Sequence, residues 1–363
     1  METFLEYLQK EREKVNGVIE EYFNKKRKDL TIKDPVTLTS YHTMQNYVLG
    51  KGKRLRSICA ILGYEACGGK EKQKMYLPSL SVEFFHTASL ILDDMMDEDK
   101  ERRNIKTAHE LLGEWFEKEF QKPAYKGYLF SSAKNRFSTS LSVIASNILF
   151  SLGNQTILES EFSNEEKNNA AEIYQKTYRL VNLGQMLDVY YEYNKKINEK
   201  QYLQMAHLKT GVLLGASLKI GGVLAGATEK QLEAFDSFGK YAATVFQIQD
   251  DIIDVTIEGE KGREAGSDLK KGKTTLLILK AKEKMNKEEW SIMENVLGNE
   301  KATEKELEKA MTLLHKTGTV KDVQEMAQKY TQKGKEALKE NGFEKEGIQK
   351  LEKMADFLLE RKK

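Results

Sequence analysis

An all-α fold is what this chain predicts, and three observations carry that reading. Only three prolines occur in 363 residues, Pro35, Pro78 and Pro123, and none follows them. That distribution leaves room for long helices, because proline removes a backbone donor and clashes with the preceding turn. Apolar residues recur at three- and four-residue steps over residues 4–22, 203–218, 232–253 and 351–359, the spacing that lines one face of a helix. Alternating apolar and polar runs, the mark of half-buried strands, are nearly absent.

The chain opens with METFLEYLQKEREK, which has no basic segment, apolar run and small-residue cleavage site in succession, so no signal peptide is expected. Gly68-Gly69 and Gly221-Gly222 read as helix ends or close contacts. Residues 114–138 combine Trp115, Phe116, Phe120, Tyr125, Tyr128, Phe130 and Phe137 with Pro123 and several lysines. They read as an ordered excursion between two core helices, with a lid or membrane-contacting role as the alternative. The longest low-polarity stretch, residues 211–227, is interrupted by Lys219 and rich in glycine. It reads as a tightly packed core helix, too short and broken to span a bilayer, so any membrane contact is expected to be peripheral. From Lys282 onward Lys and Glu dominate around a thin apolar stripe, as in an outer layer of solvated amphipathic helices. No linker or short-period repeat interrupts the chain, and residues 1–363 are expected to form one helical domain.

Lys+Arg number 58 against Asp+Glu 56, a net charge of +2, so no global field argues for nucleic acid. Cys59 and Cys67 are the only cysteines, too few for a disulfide framework and without metal-ligand spacing. A reducing, cytoplasmic location is expected.

The chemistry-bearing feature is a repeated motif. Asp93-Asp94-Met95-Met96-Asp97 and Asp250-Asp251-Ile252-Ile253-Asp254 share DDxxD spacing, and each follows an apolar stretch. On a helix the first and last carboxylates are i and i+4 and share a face. Three anions in one turn beside apolar sequence need cations to neutralise them. Hard divalent metals suit oxygen ligands, and magnesium in particular keeps room for substrate phosphates. A lone DDxxD is more often a solvated helix face; two of them, on facing helices, would clamp one phosphorylated ligand.

Other polar groups fit such a ligand. Gly52-Lys53-Arg54-Leu55-Arg56 concentrates cations beside a glycine, and Arg102-Arg103 follows the first cluster. Gln185 and Asp188 share a helix face, and Gln247, Asp250, Asp251 and Asp254 form a polar stripe amid Val245, Phe246, Ile248, Ile252 and Ile253. Lys209-Thr210 precedes Gly211, and Lys273-Thr274-Thr275 follows Gly272. His86 lies on the face of Asp93, where a satisfied core histidine is the commoner outcome.

The segments GKRLR, HTASLILDDMMDEDKERR, GQMLD, KTG, FQIQDDIID and GSDLKKGKTT, in that order, resemble the trans-isoprenyl diphosphate synthases, also called polyprenyl synthetases. The resemblance runs from GKRLR to the C-terminal ADFLLERKK and implies a helical bundle of the isoprenoid synthase type around a central active-site cavity, Mg2+ dependence and a homodimer. It implies that Lys53, Arg56, His86 and Arg103 hold the diphosphate of isopentenyl diphosphate. Asp93, Asp94 and Asp97, with Arg102 beside them, resemble the first magnesium motif, which grips the allylic diphosphate. Asp250 matches the metal ligand of the second motif, with Asp251 and Asp254 in support, Asp254 being counted among the metal group. Gln185, Lys209, Thr210, Gln247 and Lys273 match further diphosphate and transition-state contacts.

The chain departs from the family pattern at several points. Ser57 replaces a proline and is expected to loosen its loop, and Gly262-Arg263 replaces a Gly-Lys, putting a guanidinium where a diphosphate-contacting lysine is usual. Asn104 stands for a glycine, Asn147 for an aspartate, and the stretch 114–138 is longer than usual. The implied reaction is head-to-tail prenyl transfer. A class I terpene cyclase, a non-catalytic subunit of a heteromeric prenyltransferase and a longer-chain synthase remain as alternatives. A carboxylate-bridged dimetal site built on Glu83-Phe84-Phe85-His86 is set aside, because such sites need two Glu-x-x-His pairs. For chain length, the small Ala88 and Ser89 one turn before Asp93, and Phe85 two turns before it, point to a product near geranylgeranyl diphosphate, with Phe85 as the floor of the tail site.

Overall fold

The computed structural model describes residues 3–121, 123–256 and 265–361. The chain runs through α1 (Phe4–Lys28), α2 (Pro35–Leu49), α3 (Leu55–Ala66) and α4 (Lys72–Met96) to a short hairpin, β1 (Glu101–Arg102) and β2 (Ile105–Lys106). It continues through α5 (Ala108–Glu119), α6 (Ala133–Leu158), α7 (Asn164–Tyr193) and α8 (Glu199–Ala206), then a π-helical turn over His207–Gly211. α9 (Val212–Leu224), α10 (Glu229–Asp254), α11 (Ser267–Lys270) and α12 (Leu276–Lys284) follow. α13 (Lys287–Val296), α14 (Glu304–Lys316), α15 (Thr319–Ala337) and α16 (Lys345–Leu359) complete the helical bundle. Helix starts obey local chemistry. Thr3, Ser163, Asn198, Thr228, Asn286 and Thr303 each form a reciprocal capping box with the third helical residue, and Asp34 caps α2 with Pro35 at its first position.

Two apolar clusters share the interior. One joins α3, α8, α9 and α10 to the C-terminal helices through residues such as Leu218, Phe235, Phe238, Val323 and Met354. The other joins α1, α2, α4, α6 and α7 through Phe23, Phe84, Phe85, Leu149 and Tyr174. Helices α3 and α9 feed both clusters. The two lie very close: a Cβ on Gly221 would collide with the carbonyl of Ala60, and one on Gly63 with the carbonyl of Leu218. Gly221→Val is therefore expected to destabilise the protein by roughly 3 kcal/mol or more, because overpacking here meets backbone and cannot be relieved by a rotamer. A thermal melt reads this as a drop of several degrees, whereas Gly17→Val, where nothing lies within 4 Å, lacks the clash.

Pro78 sits inside α4, and one local expectation changes. Ser57 does not loosen a loop: it lies in the first turn of α3, fully buried, and its hydroxyl donates to the carbonyl of Ser79 at 2.8 Å. The Lys/Glu-rich C-terminal helices do form an outer layer, with narrow buried stripes such as Leu307, Met311 and Leu314 on α14.

Candidate active site

Helix α4 ends on the first aspartate cluster, and each of its three carboxylates has a different environment. Asp93 accepts from Lys209 Nζ at 2.9 Å and Gln185 Nε2 at 3.0 Å, with Arg102 at 3.6 Å. Burial pushes its pKa up, but Lys209, Arg102 and Lys273 outweigh that and hold it below the usual carboxylate range. Asp94 is fully buried and gripped by Arg102, whose Nε donates at 2.5 Å. Burial dominates there and raises its pKa. Asp97, the C-cap residue, lies 3.6 Å from Lys273 and is also raised, by burial first.

The hairpin that presents the arginines was not expected from the sequence. Its central residues, Arg103 and Asn104, have φ of 54° and 63°, the left-handed pair that a tight two-residue hairpin demands. Asparagine tolerates this conformation where the family has glycine, and Arg103 is forced into it. The turn sends Arg102 back onto Asp94 and Arg103 toward Arg56 and His86.

There the structure gathers cations. Burial first, then Arg56 and Arg102, lowers the pKa of Arg103 to about 10. Burial, Arg361 and Arg103 lower that of Lys53. Burial followed by Arg56, Arg103, Arg102 and Arg54 presses His86 well below its ordinary value, so its ring is neutral at pH 7. Arg54 belongs to the scaffold. Its side chain is buried against Glu83 at 3.1 Å, Asn16 at 2.8 Å and the carbonyl of Gly50 at 2.8 Å. Glu83 is thus an arginine partner and no metal ligand is needed to explain it.

From the other side, the π turn between α8 and α9 carries Lys209 and Thr210. An extra residue in one turn re-aims the side chains, a device common at functional sites. Lys209 bridges Asp93 and Asp188, the latter at 2.5 Å, and both carboxylates raise its pKa against the effect of burial. Lys273 is raised as well: burial opposes, but Asp268, Asp97, Asp188 and Asp93 prevail. Lys273 thereby links the first cluster to the neighbourhood of the second.

In the second motif the three carboxylates separate. Asp250 is half-buried and meets Arg361 at 2.6 Å. Asp251 is buried and accepts from Tyr202 Oη at 2.6 Å and Gln247 Nε2 at 3.0 Å. Burial and then Asp268 raise its pKa to about 8. Asp254 accepts from Ser267 Oγ at 2.8 Å and the backbone N–H of Asp268 at 3.0 Å, tying down the start of α11.

The raised Asp251 has a consequence for stability. Between about pH 4 and pH 8 the folded protein holds a proton that the unfolded chain has lost, so this group lowers stability as pH rises through that window. Asp251→Asn in metal-free buffer is expected to flatten the fall in melting temperature between these limits. An unchanged slope would show that Asp251 does not carry the proton.

Of the residues singled out from sequence, the structure brings Lys53, Arg56, His86, Asp93, Asp94, Asp97, Arg102, Arg103, Gln185, Lys209, Asp250 and Lys273 into one connected network of charged and polar groups. Thr210 stands beside Lys209, Gln247 serves Asp251, and Asn147 is exposed on α6. Arg263 lies outside the described residues. Sequence reasoning missed Tyr202, Phe246 and Arg361. Phe246 lies between two guanidinium groups, Arg361 at 4.3 Å and Arg56 at 5.8 Å from its centroid. The basic C-terminal tail was the available signal for Arg361; none marked Tyr202.

Among the described residues no three His, Cys, Asp or Glu side chains form a closed metal cage. The donors present are carboxylate oxygens now facing lysine and arginine, and Asp94 Oδ2 is buried with no hydrogen-bond partner. Such a donor set fits magnesium, which takes one or two carboxylates and leaves its other positions to water and phosphate.

A model of the polyprenyl synthetase family matches residues 39–314. The geranylgeranyl pyrophosphate synthase of Geoglobus acetivorans is 30% identical over 88% of this chain and 90% of its own length. The geranylgeranyl diphosphate synthase of Methanosarcina mazei is 31% identical over 82% of each. The crystal structure of geranylgeranyl pyrophosphate synthetase from Pyrococcus horikoshii Ot3 superposes with a TM-score of 0.80 at 26% identity, covering 99% of this chain and 98% of that one.

Proposed function

This chain belongs to the polyprenyl synthetase family, and on that footing we propose that it is a magnesium-dependent geranylgeranyl diphosphate synthase. It would add isopentenyl diphosphate head-to-tail to an allylic diphosphate. The observation that carries this reading is the adjacency of two anion sites of opposite construction. One is lined by carboxylates, where a diphosphate needs an intervening cation. The other is the pocket of Lys53, Arg56, Arg103 and His86, where buried positive groups depress one another's pKa values. Two diphosphates can then sit side by side. A terpene cyclase needs only the first site, and a non-catalytic subunit needs neither in working order.

Asp93, Asp94, Asp97 and Asp250 would hold magnesium, with Asp254 in support and Asp94 also orienting Arg102. When bound, the ion neutralises the leaving diphosphate and polarises its oxygens. Lys209, Lys273 and Arg102 donate to that diphosphate as the allylic C–O bond breaks, and this charge stabilisation is the main catalytic lever. Lys53, Arg56 and Arg103 hold isopentenyl diphosphate so that its double bond attacks the allylic carbon and a C–C bond forms. The proton then lost goes to the departing diphosphate. The hydroxyl of Thr210 and the carbonyls of the π turn would stabilise the developing cation, and exclusion of water protects it.

The assembly we propose is a homodimer. It is supported by apolar side chains left exposed on adjacent helices: Val143 and Ile144 on α6, and Leu183, Met186, Tyr190 and Tyr193 on α7. α6 is also long and apolar enough to cross a bilayer by length and composition, with under half of that window buried, as expected of a helix whose outer face a second copy covers. Sedimentation at micromolar concentration distinguishes dimer from monomer. The reaction itself is tested by product analysis from isopentenyl diphosphate with allylic primers of several lengths. A twenty-carbon product supports the proposal, and a product that stops at fifteen carbons or runs well beyond twenty overturns the geranylgeranyl assignment.

A further inference from the structure

The segment between α5 and α6 is displayed on a built platform. Helices α5 and α6 are pinned together by Lys134 and Glu117 at 3.0 Å. Above that pair Trp115, Phe116, Phe120 and Phe137 close into an aromatic cluster with ring centroids 5.0 to 6.1 Å apart. The aromatics of the base thus have partners. The large side chains of the tip do not share in the cluster: Tyr128 is 100% exposed and Leu129 72%. Residues 123–136 contain Lys126, Lys134 and Arg136 and no acidic residue, in a chain whose net charge is only +2.

Position adds a second argument. Ser146 donates to the carbonyl of Ala88 at 2.9 Å, and Phe150 packs on Phe85 at 5.7 Å, so α4 and α6 run antiparallel. The N-terminal end of α6, to which the segment leads, is therefore at the Asp93–Asp97 end of α4. The tip stands on the side of the Asp93–Asp97 cluster, opposite the Phe85 end.

We propose that this segment is a docking loop that seats the protein on an anionic lipid surface. Tyr128 and Leu129 enter the interface, where an amphipathic ring and an apolar side chain are both favoured. Lys126 and Arg136 meet the headgroup charge. Such a seat holds the entrance of the site close to the phase that takes up an apolar tail with a diphosphate head. That purpose rests on the proposed reaction; the docking rests on the surface alone.

Co-sedimentation of the full chain with phosphatidylcholine vesicles, with and without phosphatidylglycerol, tests it. Binding is expected to be roughly tenfold or more stronger on the anionic vesicles and to weaken as salt rises. Tyr128→Ser/Leu129→Ser and Lys126→Glu should each abolish most of it, with melting temperature and turnover of short water-soluble substrates unchanged. Equal binding to both vesicles, no binding, or binding indifferent to these variants overturns the proposal. So does a changed kcat/KM in solution, which marks a lid, or a shift to monomer in the absence of vesicles, which marks a clasp between copies. Vesicle binding by a chain that makes no prenyl product would reject the reaction and leave the docking loop standing.

Discussion

Asp93→Ala and Asp250→Ala are each expected to lower turnover by roughly a thousandfold or more. Asp93 is where Lys209, Gln185 and Arg102 converge. Removing its carboxylate takes away a proposed metal ligand, while Lys209 keeps Asp188 and Arg102 keeps Asp94 as partners. Asp250 stands between Arg361 and the cations of the basic pocket, and its loss would break the proposed metal clamp on the other helix. The effect should lie in kcat rather than in folding, since both groups are only part-buried and neither anchors a helix. Asp254→Ala supplies the contrast. It removes the ties to Ser267 and the Asp268 N–H and should cost roughly 1 kcal/mol of stability, like the loss of a helix cap, with a much smaller effect on turnover. Steady-state kinetics with circular dichroism melts separates the two behaviours. Near-normal turnover of Asp93→Ala in excess EDTA would refute the metal assignment.

Ala88→Phe is expected to shorten the product toward about fifteen carbons and Phe85→Ala to lengthen it by about five, since one helical turn rises about 5.4 Å, close to one isoprene unit. The structure gives these positions different settings. Ala88 is buried, with the Ser146 hydroxyl on its carbonyl, so an aromatic there enters the packed interior close to α6. Phe85 is buried edge-on among Phe150, Tyr174 and Tyr178 at 5.4 to 5.7 Å. Its removal opens room while those three rings keep the helices apart. The cavity also costs about 3–5 kcal/mol, so the variant is assayed below its lowered melting temperature. Chromatography of the dephosphorylated alcohols reads the outcome. An unchanged distribution in both variants would remove α4 as the ruler and shift attention to residues 144–149 of α6.

Much of the fold was legible because helix periodicity and capping are local. The stretch from 232 to 253 needs no partner to be read as a helix, and α10 covers it. The hairpin around Arg103 was not legible, since two-residue strands carry no alternation and its turn uses Arg-Asn instead of a glycine. The π turn at His207–Gly211 has no sequence signature either. Within DDxxD the sequence shows three carboxylates about 100° apart per residue, but the surroundings decide what each one does. Tyr202, from a different helix, makes Asp251 a buried acid. Ser267 makes Asp254 a support for α11. Long-range partners of this kind, Arg361 on Asp250 among them, are set by tertiary packing.

On the proposed reaction, two adjacent sites bind two diphosphates and neither alone suffices. The most direct test of this gives the purified chain, with magnesium, an allylic diphosphate in the presence and absence of isopentenyl diphosphate and measures release of inorganic diphosphate. Release is expected only when both are present, in proportion to the C–C bonds formed. Release from the allylic diphosphate alone, or none from the pair, would contradict it.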